Sequence, residues 1–199
     1  MPSFTPDNEL DLLFAPELIP SEVTSQLGSD LHMRPLAKTD LARGHLSVLS
    51  VLTSTPNLTE EQYQQAFETL RGCNNTYFTL VIVSKATDSI VGVGTVFLEQ
   101  KFTRSLGTVG HIEDIAVDER MQGRKLGLRV IQALTGISER VGCYKTILNC
   151  SDKNVPFYQK CGFEKKENEM ALYHNVAAPA AATATTTVVV ERPIHTPRL

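Results

Sequence analysis

No apolar run in the sequence approaches the ~20 residues needed to span a bilayer. Its first nine residues lack the basic start and apolar stretch of a signal peptide. Both absences point to a cytoplasmic protein without membrane contact. The formal net charge is −3, so the basic patch that nucleic acid calls for is missing. Four cysteines, Cys73, Cys143, Cys150 and Cys161, form no C-x-x-C pair and no zinc spacing. They read as buried free thiols. His32 and His111 have no metal spacing either, so no metal is expected. The G-x-G-x-x-G dinucleotide fingerprint with its later acidic residue is absent, as is a Gly-Lys-Ser/Thr phosphate loop. A hydrophobic content of 42% and a charged content of 21% are those of an ordinary globular domain with tails.

What is present centres on residues 109–163. Residues 110–117 read as a strand, and 118–128 as a polar turn rich in backbone N–H donors. Val130, Ile131, Leu134, Ile137 and Val141 then fall at helical spacing, predicting a helix over about 123–141. A strand over 145–150, a short helix over 155–160 and a last strand within 163–173 follow. The first N–H groups of a helix lack internal partners, and the dipole adds positive charge there. A strand, a Gly-containing loop and a helix start therefore suit a pyrophosphate.

Upstream, residues 1–29 read as an irregular arm, docked in part, before a strand over 31–36. Thr39 or Asp40 is expected to cap a helix reaching about Leu52, with Leu41, Leu46 (or His45), Val48, Leu49 and Leu52 on its apolar face. Thr59-x-x-Gln62 reads as a capping box opening a second helix to about Leu70. Strands follow over 77–84 and 90–99, and Gly92 and Gly94 mark a bulge or a close approach. Residues 101–107 form a basic loop. From about residue 175, Ala, Thr and Pro dominate a low-complexity tail that reads as disordered.

The loop Gln122-Gly123-Arg124-Lys125-Leu126-Gly127 resembles the Q/R-x-x-G-x-G/A loop of the GNAT superfamily of acetyl-CoA-dependent N-acetyltransferases. Lys125 stands at that pattern's middle Gly, which predicts a backbone that needs no positive φ there. Residues 154–163 resemble the N-x-x-F-Y-x-K-x-G-F segment of the same superfamily. Residues 111–117 and 143–150 are similar to one branch, the glucosamine-6-phosphate N-acetyltransferases. The resemblance runs from about Met33 to Met170. It implies an α/β GNAT fold, a mixed, mostly antiparallel sheet flanked by helices, over 30–174. The arm 1–29 and the tail 175–199 lie outside it.

For the chemistry, the resemblance implies direct transfer in a ternary complex. Ile115, Ala116 and Val117 would pair with the pantetheine arm, and a bulge in their strand would supply an N–H to the carbonyl. Backbone amides of Gly123, Arg124, Lys125, Leu126, Gly127 and Leu128 would hold the pyrophosphate, with Asn154 also at the acetyl-CoA site. Tyr158, protonated at neutral pH, would donate to the leaving sulfur. Glu113 and Asp114 would meet the sugar, although alternation along a strand sends only one of them to a given face unless a bulge intervenes. Asn149 stands where relatives carry a carboxylate; an amide orients an amine but takes no proton. Glu113, a water, or binding of the neutral amine stay open as the route for that proton. Leu52, Thr53, Lys101, Arg104, Tyr144 and Lys145 would surround the sugar phosphate. Tyr173 stands where the branch has a partner subunit's Arg, which implies a homodimer with shared sites. The alternatives are a GNAT acting on a peptide amine or polyamine, and a non-catalytic acetyl-CoA-binding module.

Overall fold

A computed structural model describes residues 4–174 except Gln122. Five strands lie in chain order: β1 (Leu31–Pro35), β2 (Tyr77–Ser84), β3 (Ser89–Gln100), β4 (Thr108–Val117) and β5 (Cys143–Leu148). β1 to β4 pair antiparallel, while β5 runs parallel to β4. A parallel neighbour needs a crossover, which is the helix α5 (Leu126–Arg140). Three short helices, α1 (Ser21–Thr24), α2 (His45–Leu49) and α6 (Val155–Lys160), and the longer α3 (Glu60–Gly72) complete the layers. A single turn, α4 (Thr103–Leu106), occupies the basic loop, with Arg104, Ser105 and Leu106 all left-handed.

Alternation along β2 divides the core between two faces. Leu80 and Ile82 meet Val130, Ile131, Leu134 and Ile137 of α5. Val81 and Val83 meet Val48 of α2 and Phe67 of α3. The four α5 side chains are fully buried, and each contributes roughly 2 kcal/mol of transfer free energy. At the start of α3 the capping box forms as expected: Gln62 N–H donates to Thr59 Oγ1 at 3.3 Å, and Thr59 N–H to Gln62 Oε1 at 2.9 Å.

Several expectations need correction. The helix expected from residue 39 or 40 covers only His45–Leu49. Asp40 is engaged elsewhere: its carboxylate accepts two 2.8 Å bonds from the buried Arg34 guanidinium and one from Ala37 N–H at 2.7 Å. Gly44, at φ 85°, then takes the chain out of the helical path. The last strand is not formed. Residues 164–174 run exposed with no strand partner among the described residues; their first six, 164–169, are all charged or polar, a composition of low β-propensity. The cysteines are not buried: Cys73 and Cys150 are exposed, and Cys143 and Cys161 half-buried. Three of them sit at element ends or on the edge strand β5, where little covers them.

The arm packs closely, placing Leu13, Ile19 and Val23 in the core. Pro20 presses on α5 at Gly136, where a Cβ would collide with its ring. Residues 175–199, with the expected low-complexity tail, lie outside the described residues, as does Gln122 of the loop motif. Among the described residues no helix is long and apolar enough to cross a membrane.

Candidate active site

The site is built on an irregularity in β4. Thr95 of β3 stands opposite Glu113, and Val93 opposite Ala116. Gly94 therefore faces two residues, Asp114 and Ile115, which is a β-bulge. Asp114 takes φ 56° to accommodate the extra residue. The bulge overrides simple alternation. Ile112 and Ile115 pack on the α5 face and Ala116 on the α3 face. Glu113 and Asp114 both line one pocket on that second face. The carboxylates that strict alternation would separate are thus brought to the same side.

That pocket, about 260 Å³, has apolar walls of Leu36, Leu49, Leu70 and Val93. The hydroxyls of Thr79 and Thr95 bond to each other at 2.8 Å on its floor. Burial, and then the Asp114 charge, raise the Glu113 carboxyl above the usual carboxylate range. A carboxylate of raised pKa is a better proton acceptor near neutrality. His45 also lines the pocket; sequence periodicity marks it only as an apolar helix position, and nothing nearby in the chain signals this role.

β4 and β5 part at the same place. Their pairing ends with Ile112 opposite Leu148, so the backbone of residues 113–117 has no strand partner on that side among the described residues. Ile115, Ala116 and Val117 offer the free edge that an extended amide-bearing chain could join. Asn149 is the first residue past β5, exposed, and Asn154 precedes α6 with no side-chain cap bond. From α6 the half-buried Tyr158 packs edge-on against Phe157 at 5.0 Å and Phe163 at 6.3 Å. Burial raises its phenol pKa, and the charges of Cys150, Cys161 and Glu113 add to the rise. The phenol thus stays protonated at neutral pH, as a proton donor must.

The loop before α5 is left-handed at Gly123, φ 82°, and at Lys125, φ 60°. The expectation at Lys125 is therefore overturned: the backbone does need positive φ, and a lysine bears the roughly 1 kcal/mol cost. Leu126 anchors the turn, 3% exposed, Leu128 is half-buried, and Gly127 lies beside the Phe157 ring. Arg129 N–H donates to Lys125 O at 3.1 Å, so the amides just ahead of it stand at the helix start, free for an outside acceptor. Arg124 is drawn elsewhere: its guanidinium makes a fork-like pair with Asp30 at 2.9 and 2.7 Å.

The residues expected at a sugar phosphate are more scattered, and none of them lines the pocket. Lys101 pairs with Glu99, which also takes His111 Nε2 at 3.0 Å. His111 stacks on Phe97 at 4.7 Å and precedes Glu113 by two residues, linking Lys101 to the bulge. Tyr144 packs against Gly107, and Lys145 Nζ lies 6.0 Å from its ring centre. Arg104 sits in the left-handed turn. Leu52 and Thr53 are exposed just past α2, and Tyr173 is 93% exposed.

Comparison with known proteins places this bulged strand, parted parallel neighbour and helix start in a family. Residues 47–163 match the model of the acetyltransferase (GNAT) family. A glucosamine 6-phosphate N-acetyltransferase of Dictyostelium discoideum is 40% identical over 151 residues, which is 76% of this chain and 96% of that protein. One from Oryza sativa subsp. japonica is 41% identical over 146 residues, covering 73% of this chain and 88% of that protein. The crystal structure of glucosamine-6-phosphate N-acetyltransferase from Arabidopsis thaliana superposes with a TM-score of 0.70 at 37% identity, over 72% of this chain and 97% of that one. The chain belongs to the acetyltransferase (GNAT) family, and within it to the glucosamine 6-phosphate N-acetyltransferases.

Proposed function

We propose that this chain acetylates the 2-amine of D-glucosamine 6-phosphate with acetyl-CoA, giving N-acetyl-D-glucosamine 6-phosphate for UDP-N-acetylglucosamine synthesis in the cytoplasm. The observation that carries the reading is the Asp114 bulge. It sets two carboxylates, Glu113 and Asp114, on one pocket beside the free edge of β4.

In this reading acetyl-CoA lies along residues 115–117, and the amides at the start of α5 hold its pyrophosphate, with Lys125 adding charge. Asn154 borders the same cleft. The amine nitrogen bonds to the thioester carbonyl carbon, and a main-chain N–H at the bulge stabilises the oxygen as it gains charge. The C–S bond then breaks, and Tyr158 gives its proton to the sulfur. Glu113, with its raised pKa, takes the proton the amine loses, directly or through a water. Asp114 and Asn149 orient the amine by hydrogen bonding.

The reading includes a homodimer with shared sites. Residues 164–174 have no strand partner among the described residues, and Met170 and Leu172 are 95% and 81% exposed. β5 keeps one edge open among the described residues. A second copy would cover both. Tyr173, which does not line the pocket of its own chain, would then reach the phosphate in its partner's site alongside Lys101, Arg104, Tyr144, Lys145, Leu52 and Thr53. The domain is taken as 30–174, with the arm 1–29 outside it and the arm's described residues packed on it.

A thiol-release assay with acetyl-CoA tests the reading, comparing glucosamine 6-phosphate, glucosamine and spermidine. Fast release with the phosphosugar alone is expected. Turnover of spermidine in its place, or none with any amine, would overturn the substrate assignment.

A further inference from the structure

One polar side chain in the pocket is not used by the reaction above. His45 of α2 is 8% exposed and lines the pocket with Glu113 and Asp114. Its Nδ1 lies 2.8 Å from the hydroxyl of Tyr63 on α3, with the rings edge-on at 5.8 Å. Tyr63 is 4% exposed, and its hydroxyl has no other partner among the described residues. The phenol therefore donates to Nδ1, which puts the imidazole proton on Nε2. Burial holds the His45 pKa down to about 4, so the ring is neutral at physiological pH.

Nε2–H has no acceptor among the described residues. Nε2 is not among the buried polar atoms left without a partner, so it keeps contact with solvent and is open to an acceptor that replaces water in the pocket. The other walls narrow the choice. Leu36, Leu49, Leu70 and Val93 offer no acceptor, Thr79 and Thr95 share one hydrogen bond, and Tyr77 adds a phenol to the lining. The pocket thus combines anionic carboxylates, an apolar lining and a neutral imidazole donor. An amino sugar presents matching groups: an amine for the carboxylates and a hydroxyl oxygen for the donor.

We propose that His45 is a specificity-determining residue, donating a hydrogen bond from Nε2 to a ring hydroxyl of the sugar whose amine sits at Glu113 and Asp114. Tyr63 is the positioning residue that fixes the tautomer. The inference rests on the acceptor being glucosamine 6-phosphate.

The test is steady-state kinetics with glucosamine 6-phosphate and its 1-, 3- and 4-deoxy analogues. The intact protein is compared with His45→Phe, His45→Gln and Tyr63→Phe. The intact protein should disfavour one deoxy analogue by about five- to tenfold in KM, the scale of one lost hydrogen bond. His45→Phe should lose that preference and bind the parent sugar about five- to tenfold more weakly. Its kcat and its KM for acetyl-CoA should not move. His45→Gln, which keeps an N–H donor, should recover part of the preference; Tyr63→Phe should weaken it. An unchanged preference in His45→Phe overturns the inference while leaving the substrate assignment intact. Failure of the intact protein to turn over the phosphosugar overturns both.

Discussion

Gly94 and Ile115 meet where the site is built: a Cβ on Gly94 would come 2.6 Å from Ile115 Cδ1 and 2.5 Å from Val130 Cγ1. One missing side chain lets β3 face two residues of β4 while α5 lies directly on them. Gly94→Ala should destabilise the protein by about 1–3 kcal/mol through overpacking, measured by urea unfolding. Because relief requires the bulge to shift, kcat should fall further than the lost stability accounts for.

Glu113 should set the acid limb of the pH profile. Burial and Asp114 raise its pKa, and only the ionised form accepts a proton. Activity should therefore drop as pH falls, with a midpoint above the ~4.3 of a free glutamate. Glu113→Gln should lower kcat by about 10²-fold or more and remove that limb, read from kcat against pH.

Tyr158 makes no side-chain hydrogen bond among the described residues, so Tyr158→Phe should leave the melting temperature nearly unchanged. Loss of the proton donor should reduce kcat by roughly 10- to 100-fold. Calorimetric titration should show acetyl-CoA binding intact. A loss of binding equal to the loss of rate would point to packing instead.

Lys125→Gly relieves a left-handed residue, and should raise stability by up to about 1 kcal/mol. It also removes a cation from the α5 start. The same variant should thus unfold at higher urea and bind acetyl-CoA more weakly, with the difference in affinity shrinking at high salt.

The buried His45 makes the fold acid-sensitive. Its pKa is near 6.5 when unfolded and about 4 when folded. The unfolded chain therefore binds more protons between those values. Stability from this group is full above pH 6.5 and is lost as pH falls towards 4, by about 3 kcal/mol at most. Urea midpoints at pH 7 and pH 4.5 should converge more in His45→Phe than in the intact protein.

What the sequence made legible was local. The partners of the Thr59–Gln62 box stand three positions apart, and the α5 stripe repeats within one helix, so both stand as read. Gly94 flagged a bulge or close approach and turned out to be both. The side of the sheet that Asp114 faces depends on the β3–β4 register, which no short segment of 110–117 encodes. Arg124 reads as a phosphate ligand until Asp30, 94 residues away, is brought beside it. Asp40 looked like a helix cap because its buried partner Arg34 lies in the preceding strand. His45 passed as one more apolar position because Tyr63 joins it only after α3 packs. The last strand failed for a different reason: the open edge of β5 is there, but the charged and polar run 164–169 does not pair with it within one chain.

The parting of β4 and β5 beyond Ile112 and Leu148 makes a window through the sheet. The α5 start lies on one side of it and the carboxylate pocket on the other. The two ligands would then enter by opposite mouths, and neither would bar the other's way. Steric order of addition would disappear: initial-velocity plots should intersect, and a dead-end sugar analogue should leave the on-rate of acetyl-CoA untouched. A single inhibitor bridging both mouths would have to thread the sheet itself.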